Sequence, residues 1–165
     1  MQNQTVIVLD FGGQYKELIA RRVRENNVYA VIMPGNTPSE KIKELKPIGL
    51  ILTGGPDSVY LPDAPKCDPR IFELGIPVLG ICYGAQLMTY VCGGKVSPCE
   101  ISEYGKTAVT VDPSSPIFKG LAKAQIGLMS HTDQISQLPA GFACVGSTAT
   151  CPNAAMMDKN RKLYA

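Results

Sequence analysis

The sequence predicts an α/β domain: an open, mostly parallel sheet with helices on both faces, followed by a C-terminal region of mixed or antiparallel strands. Three observations carry this. Short apolar runs alternate with helix-like stretches as far as residue 91, each run closes on glycine or proline, and beyond Gly93-Gly94 the helical spacing disappears. Strands that are apolar at nearly every position belong to sheets buried on both sides, as parallel strands joined by helices are.

Residues 5–10, Thr-Val-Ile-Val-Leu-Asp, form a β-branched run ending at Phe11-Gly12-Gly13, after which Leu18, Ile19 and Val23 recur at helical spacing. Residues 29–33 form a second strand closed by Pro34-Gly35, and Ser39 is expected to cap a helix through about residue 45, with Glu40 in its first turn. A third strand over 49–53 ends at Gly54-Gly55-Pro56. A Pro- and Asp-rich loop, a short helix near 71–74 and an apolar strand over 76–81 follow, then a helix over 85–91. In the second half, residues 106–111, 126–129 and 142–147 have strand character between Pro, Gly and Asn turns. Ligands of open parallel sheets sit at the carboxyl ends of the strands. The turns after Asp10, Thr53 and Ile81 open there.

Composition bounds the function. With 45% apolar residues the 165-residue chain suits one compact domain spanning 1–165, and 16 basic against 14 acidic residues leave a net charge of +2, too small to imply nucleic acid or a membrane. Arg21, Arg22 and Arg24 sit among Glu17 and Glu25, the pattern of a solvated helix face. Met1-Gln2-Asn3-Gln4 lacks the basic segment of a leader, and the apolar run after it is too short for one, so a cytoplasmic location is expected. Six cysteines, at 67, 82, 92, 99, 144 and 151, form no C-x-x-C pair, and His131 is the only histidine. Reduced thiols and no metal site are expected.

The chemistry concentrates at Gly80-Ile81-Cys82-Tyr83-Gly84, between an apolar strand and a helix. A nucleophile on a sharp strand-to-helix turn needs an unusual backbone angle and tiny neighbours two residues either side, which Gly80 and Gly84 supply. The helix N-terminus favours an anion at Cys82, and the Tyr83 backbone N–H can face an oxyanion. The competing reading is a cysteine that only fills core. Gly54-Gly55-Pro56 follows a buried strand and can supply a second oxyanion donor, or be a plain tight turn; no phosphate-loop pattern occurs. Gln86, one helical turn after Cys82, faces the same side and suits a polar substrate, unless it is merely an exposed glutamine. His131 is the obvious base by composition. Asp133, however, is too close in sequence for a linear acid-base-nucleophile relay.

These segments resemble the class I glutamine amidotransferases. Residues 8–15 (Val-Leu-Asp-Phe-Gly-Gly-Gln-Tyr), 20–25 (Ala-Arg-Arg-Val-Arg-Glu), 53–58 (Thr-Gly-Gly-Pro-Asp-Ser), 80–86 (Gly-Ile-Cys-Tyr-Gly-Ala-Gln), 129–133 (Met-Ser-His-Thr-Asp) and 147–152 (Ser-Thr-Ala-Thr-Cys-Pro) fall in that family's order and spacing. The Phe-Gly-Gly-Gln-Tyr and Met-Ser-His-x-Asp segments point to its GMP synthase branch. The resemblance implies a flavodoxin-like fold and Cys82 as the nucleophile that takes the side-chain amide of L-glutamine to a glutamyl thioester. It places the oxyanion donors at the backbones of Gly55 and Tyr83, and Gln86 with Ser130, His131 and Thr132 against the substrate's amino-acid end. His131 thereby becomes a neighbour of the substrate, not the base.

The family's catalytic histidine and glutamate belong to a later Phe-His-Pro-Glu segment, which this sequence does not contain. The expectation is an N-terminal part of a longer chain, with weak glutaminase activity alone and an interrupted last strand near residues 161–165. The resemblance further implies an ATP pyrophosphatase domain, absent here, that uses ATP and Mg to aminate XMP to GMP with the released ammonia; no cofactor is expected in this domain itself. The alternatives are an amidotransferase subunit for anthranilate or carbamoyl phosphate synthesis, a γ-glutamyl hydrolase, and a non-catalytic glutamine-binding regulatory module.

Overall fold

The computed structural model describes residues 4–165; Met1 to Asn3, whose leader-free reading came from sequence, lie outside the described residues. β1 (Thr5–Asp10) leads through the Gly12-Gly13 turn into α1 (Lys16–Glu25). The Asp10 carboxylate shapes that turn, accepting the Gly12 N–H at 2.9 Å and pairing with Lys16. On α1 the arginines do face solvent: Arg21 and Arg22 pair with Glu25 at 3.0 and 2.7 Å.

β2 (Tyr29–Pro34) precedes α2 (Ser39–Glu44). Ser39 does not cap this helix. Pro38, extended at ψ 144°, occupies the cap position, and Ser39 is the first helical residue, its N–H donating to Asp68 Oδ2 at 2.8 Å. The carboxylate of a distant turn thus satisfies the N–H of Ser39 itself, one of the first-turn donors, while the Ser39 hydroxyl caps none of them. β3 (Gly49–Leu52) follows, and the short helix expected near 71–74 is a 3-10 turn, Pro69–Glu73, capped by Asp68. β4 (Val78–Gly80) then runs into α3 (Tyr83–Val91).

The second half holds β5 (Lys95–Val111), a 3-10 turn (Pro116–Phe118), β6 (Ala124–Gln137), β7 (Ala143–Ser147), β8 (Ala155–Asp158) and β9 (Leu163–Tyr164). β5 and β6 extend well beyond the runs expected at 106–111 and 126–129. Pro98 interrupts the strand pattern of β5, yet the hairpin accommodates it where its register shifts between Pro98 and Glu103.

The nine strands among the described residues form one sheet in the order β2-β1-β3-β4-β9-β8-β7-β5-β6. The pairings from β2 to β9 are parallel and those from β9 to β6 antiparallel. Alternation along β1 shows how both faces are covered. Ile7 and Leu9 join Ile42 of α2 and Leu87 and Met88 of α3 in the main core, whereas Val8 packs with Ala20 of α1 and Ala30 on the other face. No helix among the described residues is long and apolar enough to cross a membrane.

Candidate active site

Cys82 stands between β4 and α3 with φ 54° and ψ −113°, a conformation that costs a non-glycine residue energy and persists only when its surroundings impose it. Main-chain contacts impose it here. A Cβ on Gly80 would lie 2.6 Å from the Gly84 carbonyl oxygen, and one on Gly84 only 2.5 Å from the Leu52 carbonyl oxygen. The Gly84 N–H bonds to the carbonyls of Thr53 and Ile81, both at 3.0 Å, locking the turn onto β3. The residue requirements read from the sequence are therefore steric facts of the fold. The Cys82 side chain is exposed.

The turn after β3 lies alongside. A Cβ on Gly54 would sit 3.7 Å from the Cys82 sulfur, and one on Gly55 would strike the Phe11 carbonyl oxygen at 2.4 Å. The turn after β1 thus packs directly on the Gly54-Gly55 backbone beside Cys82, and at Gly55 only glycine fits. Tyr83 contributes backbone alone at this edge. Its ring is buried against Phe11 with centroids 5.6 Å apart, its hydroxyl donates to the Pro65 carbonyl, and burial pushes the phenol up to about 12. The N–H groups of Gly55 and Tyr83 have no hydrogen-bond partner among the described residues.

Two adjoining cavities, about 220 and 290 Å³, share Cys82, Gln86, Ser130, His131 and Asp133 in their walls; Gly55 and Thr132 border the second. These volumes lie below the roughly 300–1,000 Å³ of drug-sized sites and suit a small metabolite. Gln86 is not an exposed helix glutamine: it is 8% accessible, with its amide N–H 3.4 Å from the Asp133 carbonyl. The structure therefore brings Cys82, Gly55, Gln86, Ser130, His131 and Thr132 together, with Tyr83 joining through its main chain.

Both ring nitrogens of His131 have partners other than Cys82. Its Nε2 meets Glu103 Oε2 at 2.9 Å, and its Nδ1 lies 3.0 Å from the Asp133 carbonyl oxygen. Asp133 gives the ring no carboxylate; that group takes the hydroxyls of Ser58 at 2.5 Å and Tyr60 at 3.0 Å, tying the Gly-Gly-Pro loop to β6. Glu103 and the Ser58–Tyr60 latch were absent from the sequence-derived site. Only Asp133, two residues from His131 and so on the same face of a strand, carried a signal. Glu103, His131 and Cys151 bring one donor atom each within 4.8 Å of one another. Glu103, however, already accepts hydrogen bonds from Thr148, Thr150 and His131, and burial pushes the Cys151 thiol up to about 11. Glu103, His131, Thr148 and Thr150 thus share one hydrogen-bonded network, with Cys151 beside it.

A strained, exposed cysteine at the mouth of a small cavity, beside two N–H groups without a partner among the described residues, has the parts that acyl transfer through a thiol requires. In agreement, the chain belongs to the class-I glutamine amidotransferase family, which matches residues 7–165. Within that family it is 54% identical over 164 residues to the glutamine-hydrolyzing GMP synthase of Caldanaerobacter subterraneus subsp. tengcongensis and 54% identical over 165 residues to that of Alkaliphilus metalliredigens. These alignments cover 99% and 100% of this chain but 32% of each relative, so the chain spans about a third of the length of the curated relatives it matches. The crystal structure of a candidate GMP synthase component from Thermoplasma acidophilum superposes with a TM-score of 0.89 at 32% identity, covering all of this chain and 83% of the other. A glutamine amidotransferase from Thermotoga maritima, at 21% identity and TM-score 0.75 over 99% of this chain and 74% of its own, shares the fold.

Proposed function

We propose that this chain is the glutamine-binding part of the amidotransferase domain of a GMP synthase. The observation that carries the reading is the placement of Cys82 at positive φ beside the unpaired N–H groups of Gly55 and Tyr83, at the mouth of a cavity walled by Gln86, Ser130 and His131. The Cys82 sulfur attacks the side-chain carbonyl carbon of L-glutamine, and the two N–H groups hold the resulting oxyanion. Collapse breaks the carbon–nitrogen bond, ammonia leaves with an added proton, and water cleaves the glutamyl thioester to glutamate and free thiol. Gln86 with the main chain of Ser130, His131 and Thr132 holds the amino-acid end. No cofactor enters this step.

Proton transfer to the departing ammonia and from the attacking water needs a base, and His131 is committed elsewhere. By family resemblance, the base and its acidic partner belong to a Phe-His-Pro-Glu segment outside this sequence. Turnover by the 165-residue chain is therefore expected at least ~10³-fold below that of a full domain. In the longer protein, the ammonia would pass to an ATP pyrophosphatase domain that uses ATP and Mg to convert XMP to GMP.

The test is intact mass after exposure to the glutamine-like electrophile 6-diazo-5-oxo-norleucine, with and without competing L-glutamine. One adduct, protected by glutamine and lost in Cys82→Ala, is expected. An adduct that persists in Cys82→Ala, or that glutamine does not slow, contradicts the assignment.

A further inference from the structure

Glu103 and His131 are direct partners across the β5–β6 hairpin, with the Glu103 side chain buried and that of His131 half-buried, at 7% and 14% accessibility. Glu103 Oε1 accepts the hydroxyls of Thr148 and Thr150, the latter at 2.6 Å, while Oε2 faces His131 Nε2 at 2.9 Å. Burial raises the Glu103 carboxyl, but the two threonine hydroxyls and the imidazole outweigh it and hold the group below its ordinary value. An ionised carboxylate only accepts, so Nε2 must carry a hydrogen. Nδ1 lies 3.0 Å from the Asp133 carbonyl oxygen, which also only accepts, and a hydrogen on Nδ1 satisfies that contact. A neutral ring satisfies one of these contacts and sets a lone pair against an oxygen at the other. Other titratable groups near the ring are the Asp133 carboxylate, whose charge also acts on Cys99, the Cys99 thiol, 3.5 Å from Nδ1, and the Cys151 thiol; burial raises both thiols, which bring no charge.

We infer that Glu103 is a positioning residue that holds His131 as a doubly protonated imidazolium and, through it, fixes the β6 main chain at residues 130–133 against the substrate; the inference rests on the glutamine-binding reading above. The path is continuous. The ring's Nδ1–H holds the Asp133 carbonyl, the same carbonyl lies 3.4 Å from the Gln86 amide, and Gln86 and Asp133 wall the cavity beside Cys82. Thr148 and Thr150 extend the clamp to the loop that carries Cys151, a third stretch of cavity wall.

Because the chain has one histidine, the imidazole 15N–1H correlation spectrum of the 15N-labelled protein contains a single ring. At pH 7 both ring nitrogens are expected at protonated shifts in the wild type. In Glu103→Gln, whose amide can donate, Nε2 should move to the shift of an unprotonated nitrogen while Nδ1 keeps its hydrogen. A merely structural Glu103 would not change the ring's protonation. Labelling of Cys82 by 6-diazo-5-oxo-norleucine should then need about 10-fold more reagent for half-saturation in Glu103→Gln, with the limiting rate and the rate of iodoacetamide alkylation each within about two-fold of wild type. A wild-type ring in one neutral tautomer overturns the inference, as does unchanged half-saturation in the variant. If Glu103→Gln fails to fold, the wild-type spectrum still decides the charge, and Thr150→Val, which removes one hydroxyl, should raise half-saturation in the same direction. A wild-type chain that the reagent does not label at all would sink the glutamine reading and the substrate half of this inference together, while the ring spectrum would still decide the ion pair.

Discussion

Replacing Gly84 by alanine tests whether the elbow is built by main-chain contact. The new Cβ would stand 2.5 Å from the Leu52 carbonyl oxygen and 2.6 Å from the Leu52 Cβ, about 0.9 Å inside the 3.4 Å at which ordinary contact begins. Neither neighbour can rotate away, because the Leu52 carbonyl already accepts the Ile81 N–H at 3.0 Å within the turn. Overpacking of this kind costs about 1–3 kcal/mol, and rigid backbone on both sides puts the cost near the upper end. The exchange of glycine for alanine within α3 returns about 1 kcal/mol of helix propensity. The net loss is therefore about 2 kcal/mol, which for a domain of this size lowers Tm by about 4–8 °C. Circular dichroism melts give the Tm, and the rate of Cys82 alkylation reports whether the sulfur has moved from the Gly54-Gly55 turn. An unchanged or raised Tm together with an unchanged alkylation rate would refute the argument that α3 is jammed against β3.

Two further outcomes are expected. Asp158, almost fully buried, is raised by burial, but the Arg161 side chain and the N–H groups of Arg161 and Asn160 outweigh this and hold its carboxyl below the ordinary value. A folded-state value below the unfolded one stabilises the fold at neutral pH, and that contribution disappears as pH falls through the lowered value. Asp158→Asn should thus lose about 1–3 kcal/mol at pH 7 in urea melts, with the gap to wild type closing below about pH 4; a gap that stays constant down to pH 3 would contradict this. Burial pushes Cys67 up to about 12 and Cys151 up to about 11, whereas Cys82 and Cys144 are exposed. Iodoacetamide at pH 8 should modify Cys82 and Cys144 first, with Cys67 and Cys151 about 100-fold slower or more by peptide mapping; equal rates for Cys67 and Cys144 in the native chain would count against it.

The parallel half of the fold was legible because its signals are local. Ile7, Val8 and Leu9 are apolar without alternation because each faces a covered layer, and Gly80 and Gly84 flank Cys82 because nothing larger fits. What escaped was decided at a distance. The donor on Ser39 is served by Asp68, 29 residues away, which no capping pattern announces. β8 (Ala155–Asp158) is too short to stand out, and the reach of β5 past Pro98 depends on a register shift that exists only once β6 lies beside it. For the same reason Glu103 was invisible: its three partners, at 131, 148 and 150, converge only in the folded hairpin and its adjoining loop. Cys82 and Gln86 could be named from spacing and Gly55 from the family resemblance, whereas the groups that orient the opposite wall could not.

The contacts that hold Cys82 have a consequence for how such a sequence changes over time. Gly80 abuts the Gly84 carbonyl, Gly84 abuts that of Leu52 and Gly55 abuts that of Phe11, so the seat of the sulfur is defined by peptide groups, which every amino acid shares. Side chains such as Ile7, Leu87 or Met88 can drift among apolar alternatives and alter packing density or melting temperature while the elbow keeps its shape. Three glycines thereby uncouple the inheritance of reactivity from the turnover of the core around it.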